Sequence, residues 1–144
     1  MNHRSDPTSV VLNQSRTIAV VGLSPDPQRA SHEVATYLQQ HGYRIIPVNP
    51  TCAGKTILGE HCHASLTMAA KALAEAGIKI DIVDCFRKSE AMEPIAEEAI
   101  AIGAPVLWMQ LGVINAVAAA KAQAAGIHVI MDRCIKIDHA RLHG

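Results

Sequence analysis

The chain has few aromatic residues, no net charge and no long apolar run, and each shortage excludes a class of protein. One Phe, one Trp and two Tyr occur among 144 residues, so the core has to be built from aliphatic side chains. Thirteen Lys and Arg balance thirteen Asp and Glu, which argues against nucleic acid or an anionic membrane as a partner. No apolar run has the roughly 20 residues that cross a bilayer. A binding site for an anion therefore has to be local.

The cysteine spacing and the N-terminus also argue against particular classes of protein. The four cysteines include no CxxC pair, and the first residues lack the apolar stretch of an export signal. We therefore expect reduced thiols in a cytoplasmic protein. Residues 1–14 are predicted to be a flexible segment with a short turn or helix near Val10–Leu12, and residues 15–144 a single domain. His61-Cys62-His63 does not have the spacing of a zinc site, so no metal is predicted.

Five short apolar runs alternate with segments of helical periodicity. This alternation predicts a parallel sheet with helices on both faces, and runs such as Ile18–Val21 suit strands buried on both faces. The predicted fold class is α/β: a Rossmann-like, doubly wound, five-stranded parallel sheet, with order 3-2-1-4-5 when the runs are numbered along the chain. The runs are Thr17–Val21, Arg44–Val48, Ile80–Asp84, Pro105–Met109 and His128–Met131.

The intervening helices are predicted from apolar stripes and from capping residues at their ends. Ser31 and Ser89 are the expected N-caps of the first and third helices, and either Ser65 or Thr67 that of the second. The predicted helices are Ser31–Gln40, Thr67–Ala76, Ser89–Ile102 and Asn115–Ala125.

Glycine or polar residues follow every run, and in a parallel sheet these positions gather at the edge where open α/β folds bind ligands. After the first run, Gly22 lets a ligand approach the backbone and Ser24 offers a hydroxyl group. Arg29 stands just before the next helix, whose N-terminus suits a phosphate. The first turn is therefore a candidate phosphate site.

Two common nucleotide motifs do not fit. The turn beginning at Gly22 is not GxGxxG, and the second run ends in Asn49-Pro50 without the acid that binds a ribose, which disfavours NAD. Gly54-Lys55-Thr56 lacks the earlier glycine of a P-loop, which excludes ATP hydrolysis of that kind. Lys55 is either a phosphate contact or an ordinary solvated lysine.

Six short segments form a recognisable series in chain order: Val20–Ser24, Arg29–Ser31, Ile46–Pro50, Asp81–Arg87, Trp108–Gly112 and Met131–Cys134. The series resembles the small stand-alone CoA-binding proteins of the YccU-like group. These are similar to the N-terminal CoA-binding domain of the succinyl-CoA synthetase alpha subunit. The resemblance runs from Thr17 to His139, nearly the whole chain.

The resemblance implies that residues 15–144 bind coenzyme A or an acyl-CoA as a small-molecule ligand. Under it, the Gly22 turn and Arg29 meet the pyrophosphate, Asn49-Pro50 and Lys55 border the nucleotide end, Phe86-Arg87 line the adenine or ribose-phosphate side, and Gln110–Gly112 line the pantetheine path. The full set of predicted CoA-binding residues is Gly22, Leu23, Ser24, Arg29, Ser31, Val48, Asn49, Pro50, Lys55, Phe86, Arg87, Gln110, Gly112 and Arg133.

The resemblance implies a non-catalytic binding module or regulator, because the chain has no room for the further domains of acyl-CoA synthetases. Two alternatives stay open. One is a thiol-dependent enzyme acting on CoA thioesters or CoA disulfides through Cys85 or Cys134, and the other is a CoA-responsive scaffold for an unknown protein partner. Asp132 and Arg133 are expected to form an ion pair at the pocket edge, and Trp108 to pack in the core.

Overall fold

The structure, a computed structural model, describes residues 7–143 and contains one five-stranded parallel sheet with helices on both faces. The strands are β1 Thr17–Val21, β2 Arg44–Val48, β3 Thr56–Ile57, β4 Glu60–His61, β5 Ile82–Cys85, β6 Val106–Met109 and β7 His128–Ile130. The helices are α1 Pro7–Gln14, α2 Ala30–Gln40, α3 Leu66–Glu75, α4 Met92–Ala101, α5 Ala116–Ala124 and α6 Ile135–His143. The predicted fold class is confirmed, and each of the five apolar runs overlaps one strand of the sheet.

The predicted strand order is wrong. The sheet runs β2-β1-β5-β6-β7, which is 2-1-3-4-5 in the numbering of the runs, while β3 and β4 form a separate antiparallel hairpin. The third run pairs with β1 because the outer edge of β2 is already taken. There the His63 N–H donates to the Pro47 carbonyl (3.0 Å) and the His63 carbonyl accepts from the Asn49 N–H (2.9 Å).

The observed order moves the point at which the chain changes direction across the sheet. From β1 the chain goes to β2 on one side and later to β5 on the other. Open α/β sheets bind ligands in the crevice beyond the carboxyl ends of two such strands. The crevice of this protein therefore lies where β1 and β5 end.

Two helices begin differently from the prediction. Helix α2 starts after Arg29, and Ser31 lies in its first turn with its Oγ accepting the Ser24 N–H (3.0 Å). Ser89 opens a short 3₁₀ turn, Ser89–Ala91, ahead of α4 and does not cap it. Of the two alternatives for α3, Ser65 is the cap, since its side chain accepts from the Met68 N–H. Asn115, which the sequence analysis did not single out as a cap, caps α5 by accepting from the Ala118 N–H.

The core has two halves, one on each face of the sheet. Helices α3, α4 and α5 cover one face with small and aliphatic side chains such as Ala99 and Ala122. Helices α1, α2 and α6 cover the other face, where Trp108 is fully buried and its Nε1–H donates to the Arg133 carbonyl (2.8 Å). The predicted core position of Trp108 is confirmed.

The N-terminal prediction concerns residues 1–14, of which 1–6 lie outside the described residues. Residues 7–14 form α1, whose Leu12 is buried against the face that carries α6. Flexibility of this segment stays a prediction. Between residues 7 and 143, no helix combines the length and apolar character needed to cross a bilayer.

Candidate functional site

Gly22 lies at the centre of the site and only a glycine fits there. Its φ is +91°, and a Cβ built on it would lie 2.7 Å from the Phe86 carbonyl oxygen. Its N–H donates to the Val48 carbonyl (2.8 Å), so this turn is tied to the end of β2 as well as to the end of β5. The glycine therefore lets three chain segments meet at the crevice.

The first cleft at this turn, here called the α2 cleft, encloses about 370 Å³. Its lining residues are Gly22, Ser24, Arg29, Ala30, Ser31 and Phe86. The Gly22 and Ser24 N–H groups are already bonded within the protein, to Val48 and to the Ser31 Oγ. The N–H groups available to an anion are those of the first turn of α2, which have no intrahelical acceptor.

Arg29 stands at the entrance of the α2 cleft. It is exposed, and its guanidinium has no hydrogen bond or ion pair to any residue from 7 to 143. A free guanidinium beside a helix N-terminus suits a phosphate, which it contacts through two parallel hydrogen bonds. The structure thus brings Gly22, Ser24 and Arg29 of the predicted phosphate site to one cleft, where the Gly22 N–H is already bonded to the Val48 carbonyl.

The second cleft, here called the α4 cleft, opens on the other side of Gly22 and encloses about 280 Å³. Most of its lining is apolar, and Arg87 is its cation, without a hydrogen bond or ion pair within the described part of the chain. The Glu98 carboxylate is occupied, because it accepts from the N–H (2.9 Å) and hydroxyl (2.7 Å) of Thr67. The lining residues are Val21, Gly22, Val48, Pro50, Ala64, Ser65, Leu66, Arg87, Ala91, Pro94, Ile95 and Glu98.

Three predicted residues lie near the clefts without lining them. Leu23 is fully buried in the core. Asn49 joins two turns, donating from Nδ2 to the Leu23 carbonyl (3.0 Å) and accepting at Oδ1 from the Thr51 N–H (3.0 Å). Lys55 is exposed in the loop before β3 and lines neither cleft. Asn49 therefore positions the turn, and Lys55 stays a prediction.

The expected ion pair between Asp132 and Arg133 is wrong. Arg133 pairs with Asp138 on α6, at 2.9 Å between Nε and Oδ2. Asp132, with a φ of +63°, accepts the Gly112 N–H at Oδ1 (2.8 Å). The physical reason is the turn itself, because the left-handed residue Asp132 aims its carboxylate at the neighbouring loop while Arg133 reaches along the first turn of α6.

Gln110 is buried and its side chain serves the protein interior. Its Nε2 donates to Asp84 Oδ1, and its Oε1 accepts from the Ile135 N–H at the start of α6 (3.4 Å). In this structure, therefore, the Gln110 side chain positions β5 against α6, and Gly112 is the exposed member of the predicted pantetheine path.

Asp84 is a buried ionisable residue that the sequence reasoning missed as a site element. It has no exposed surface, and burial raises the pKa of its carboxyl to about 7, an effect that the Gln110 hydrogen bond partly offsets. Its Oδ2 has no hydrogen-bond partner among residues 7–143. The signal in the sequence was an acid at the end of the apolar run Ile80–Asp84, and the strand formed there, β5, is buried along its whole length.

The cysteines differ sharply in exposure. Cys85 has no exposed surface, and burial together with the nearby Asp84 raises the pKa of its thiol well above the ordinary value. A buried thiol of raised pKa is a poor nucleophile, so the enzyme alternative is left with Cys134, which is half-buried.

His61 and His63 stack edge to face with ring centres 4.8 Å apart. No group of three metal-ligating residues occurs between residues 7 and 143.

Together, the five-stranded parallel sheet, the helices on both of its faces and the crevice between β1 and β5 define a Rossmann-like α/β domain. A family profile described as CoA binding domain matches residues 16–140. The chain belongs to this family, which confirms the family predicted from the six sequence segments.

Relatives of the chain share its length as well as its sequence. An uncharacterized protein of Bacillus subtilis, YneT, is 45% identical over 130 residues, which is 90% of either chain. A solved structure from Thermus thermophilus, cell-free ID.343, has 35% identity and a TM-score of 0.84, and the match covers 99% of both chains. A hypothetical protein from Pyrococcus horikoshii has 33% identity and a TM-score of 0.84, over 100% of this chain and 97% of the other.

Proposed function

We propose that the protein binds coenzyme A or an acyl-CoA at the carboxyl edge of its sheet and holds it without forming a covalent bond. One observation carries the proposal. Two clefts of different chemistry meet at Gly22, and one offers a helix N-terminus with a free arginine while the other is mainly apolar. CoA has the matching parts, since its charged diphosphate lies next to an adenosine with a flat aromatic base.

The chemistry of each cleft assigns one part of the ligand to it. The diphosphate lies in the α2 cleft against the first turn of α2 and Arg29. The adenosine lies in the α4 cleft among Val48, Pro50 and Ile95, with Arg87 beside its ribose phosphate. Neither lining includes a cysteine or a histidine among the described residues, which favours binding over nucleophilic catalysis.

Four free cysteines suit the reducing cytoplasm, where we place this activity.

Calorimetric titration with CoA, with NAD and ATP as comparison ligands, tests the proposal. We expect saturable heat with CoA and weaker or no binding of the other two. Heat with NAD but none with CoA would overturn the proposal.

The same titration on Arg29→Ala tests the assigned phosphate contact. Loss of a guanidinium–phosphate pair should weaken CoA binding by roughly 1–3 kcal/mol, or about 5- to 150-fold. Arg44→Ala is the matched control, because that exposed arginine pairs with Glu60 at the opposite end of β2. Equal affinities for both variants would show that the α2 cleft does not hold the phosphates.

A further inference from the structure

Half of the large apolar side chains that are exposed within residues 7–143 lie in one short segment. Six such side chains are exposed, and three of them fall within seven residues: Leu111 (61%), Ile114 (51%) and Val117 (55%). Single exposed aliphatic residues are ordinary on protein surfaces, but a gathering of them indicates a contact site. We call these three residues the apolar patch.

The backbone that carries the patch is firmly held. The Gly112 N–H donates to Asp132 (2.8 Å), and the Ile114 N–H donates to the Ser89 Oγ (2.9 Å). The Ser89 hydroxyl in turn donates to the Gly112 carbonyl (3.3 Å), and Val113 between them is buried. Leu111 and Ile114 are therefore exposed on a fixed loop, and a ligand that covers them has little loop entropy to overcome.

The patch continues the candidate site along the edge of the sheet. The patch follows β6, which is the neighbour of β5 in the sheet. The end of β5 supplies Phe86 to the α2 cleft and Arg87 to the α4 cleft. Neighbouring strands lie about 4.8 Å apart, so β6 is roughly 10 Å from β1 along the edge. A flexible chain that leaves the clefts in this direction reaches the patch.

We propose that the patch receives the uncharged acyl chain of an acyl-CoA whose nucleotide end occupies the clefts. This inference rests on the proposed function and names the class of ligand. Residues 111–120 contain no ionisable side chain, so the segment that carries the patch is itself uncharged. The nearest carboxylate in the hydrogen-bond network is Asp132, which disfavours an acyl group that ends in a carboxylate.

A calorimetric series of free CoA, acetyl-CoA, butanoyl-CoA, hexanoyl-CoA and succinyl-CoA tests the inference. Full burial of a methylene is worth about fourfold in affinity, and a chain covered on one side should gain about twofold per methylene. Hexanoyl-CoA should then bind at least tenfold more tightly than acetyl-CoA, and butanoyl-CoA more tightly than succinyl-CoA. Ile114→Ser with Val117→Ser, the two patch residues outside the predicted pantetheine path, should abolish this dependence on chain length and leave the affinity for free CoA unchanged.

Ile137→Ser is the matched control, because Ile137 is similarly exposed (57%) on α6. If free CoA binds and the wild-type affinities do not rise with chain length, the inference fails and the proposed function stands. If neither free CoA nor any of the acyl-CoAs binds, both fail. If sedimentation shows a wild-type dimer that the double variant dissociates, a second copy covers the patch and the inference is overturned.

Discussion

Gly22 shows how one residue without a side chain joins the parts of the site. It combines a left-handed backbone with a space that the Phe86 carbonyl already fills. The sequence predicted that a ligand approaches this glycine. The structure shows a further reason for it, the close approach of the β5 end, which a sequence cannot reveal because the neighbour of β1 depends on strand order.

Gly22→Ala and Gly54→Ala separate backbone strain from crowding. Both glycines have φ near +90°, but a Cβ at Gly54 meets nothing within 4 Å. Backbone strain of roughly 1–3 kcal/mol is common to the two variants, and the clash adds to it only at Gly22. Denaturant unfolding should show a larger loss of stability for Gly22→Ala, together with a loss of CoA binding. Equal losses of stability in the two variants would mean that the turn after β1 shifts enough to remove the clash with the Phe86 carbonyl.

Asp84 gives the stability of the protein a definite pH dependence. Its folded pKa of about 7 lies above the ordinary value of 3.8, so the folded state holds the proton more tightly than the unfolded state. The stabilisation is complete below pH 3.8 and is lost as the pH rises through 7, by on the order of 4 kcal/mol at most. Asp84→Asn should remove this slope between pH 5 and pH 8 in urea unfolding.

Asp26→Asn serves as the control for Asp84→Asn, because Asp26 is exposed and its Oδ1 accepts only the Gln28 N–H among the described residues. The control should unfold with the wild-type pH dependence. A wild-type slope that survives in Asp84→Asn would show that other groups cause it.

At the scale of elements, some features follow from the local sequence and others depend on tertiary contacts. Apolar runs bounded by glycine and polar residues were enough to predict the five strands of the parallel sheet, and local sequence narrowed the cap of α3 to Ser65 or Thr67, of which Ser65 is the one observed. Ser31 and Ser89 have the same local character, yet each bonds a distant loop instead of capping a helix. The choice depends on which loop lies opposite the serine, and no local pattern records that.

Ser89→Ala tests the link between the loop after β6 and the start of the α4 segment. The change removes the acceptor of the Ile114 N–H and the donor to the Gly112 carbonyl. Amide hydrogen exchange at Ile114 should become faster, with a loss of about 1 kcal/mol in stability. Ser65→Ala is the control, since it frees the Met68 N–H instead. Unchanged exchange at Ile114 would show that the loop is held by other contacts.

At the scale of the whole molecule, the predicted edge was right although the predicted order was wrong. Every parallel sheet of this kind places its strand ends on one edge, so Gly22, Arg29, Phe86 and Gly112 gather there in either order. The order decides which strands enclose the crevice, and in the structure His63 occupies the outer edge of β2, where the predicted order placed the third run. The burial of Gln110 and the partner of Arg133 depend on packing against α6, which the sequence pattern does not encode.

If a CoA molecule binds across Gly22 with its parts in the two clefts, amide chemical shifts measured during a CoA titration will change on both sides of that glycine. We expect saturable shifts of the Ser24–His32 amides and, in the same titration, of the Arg87–Glu98 amides. Saturable shifts confined to the opposite edge of the sheet, around Ile78–Asp81 where another cavity opens, would contradict it.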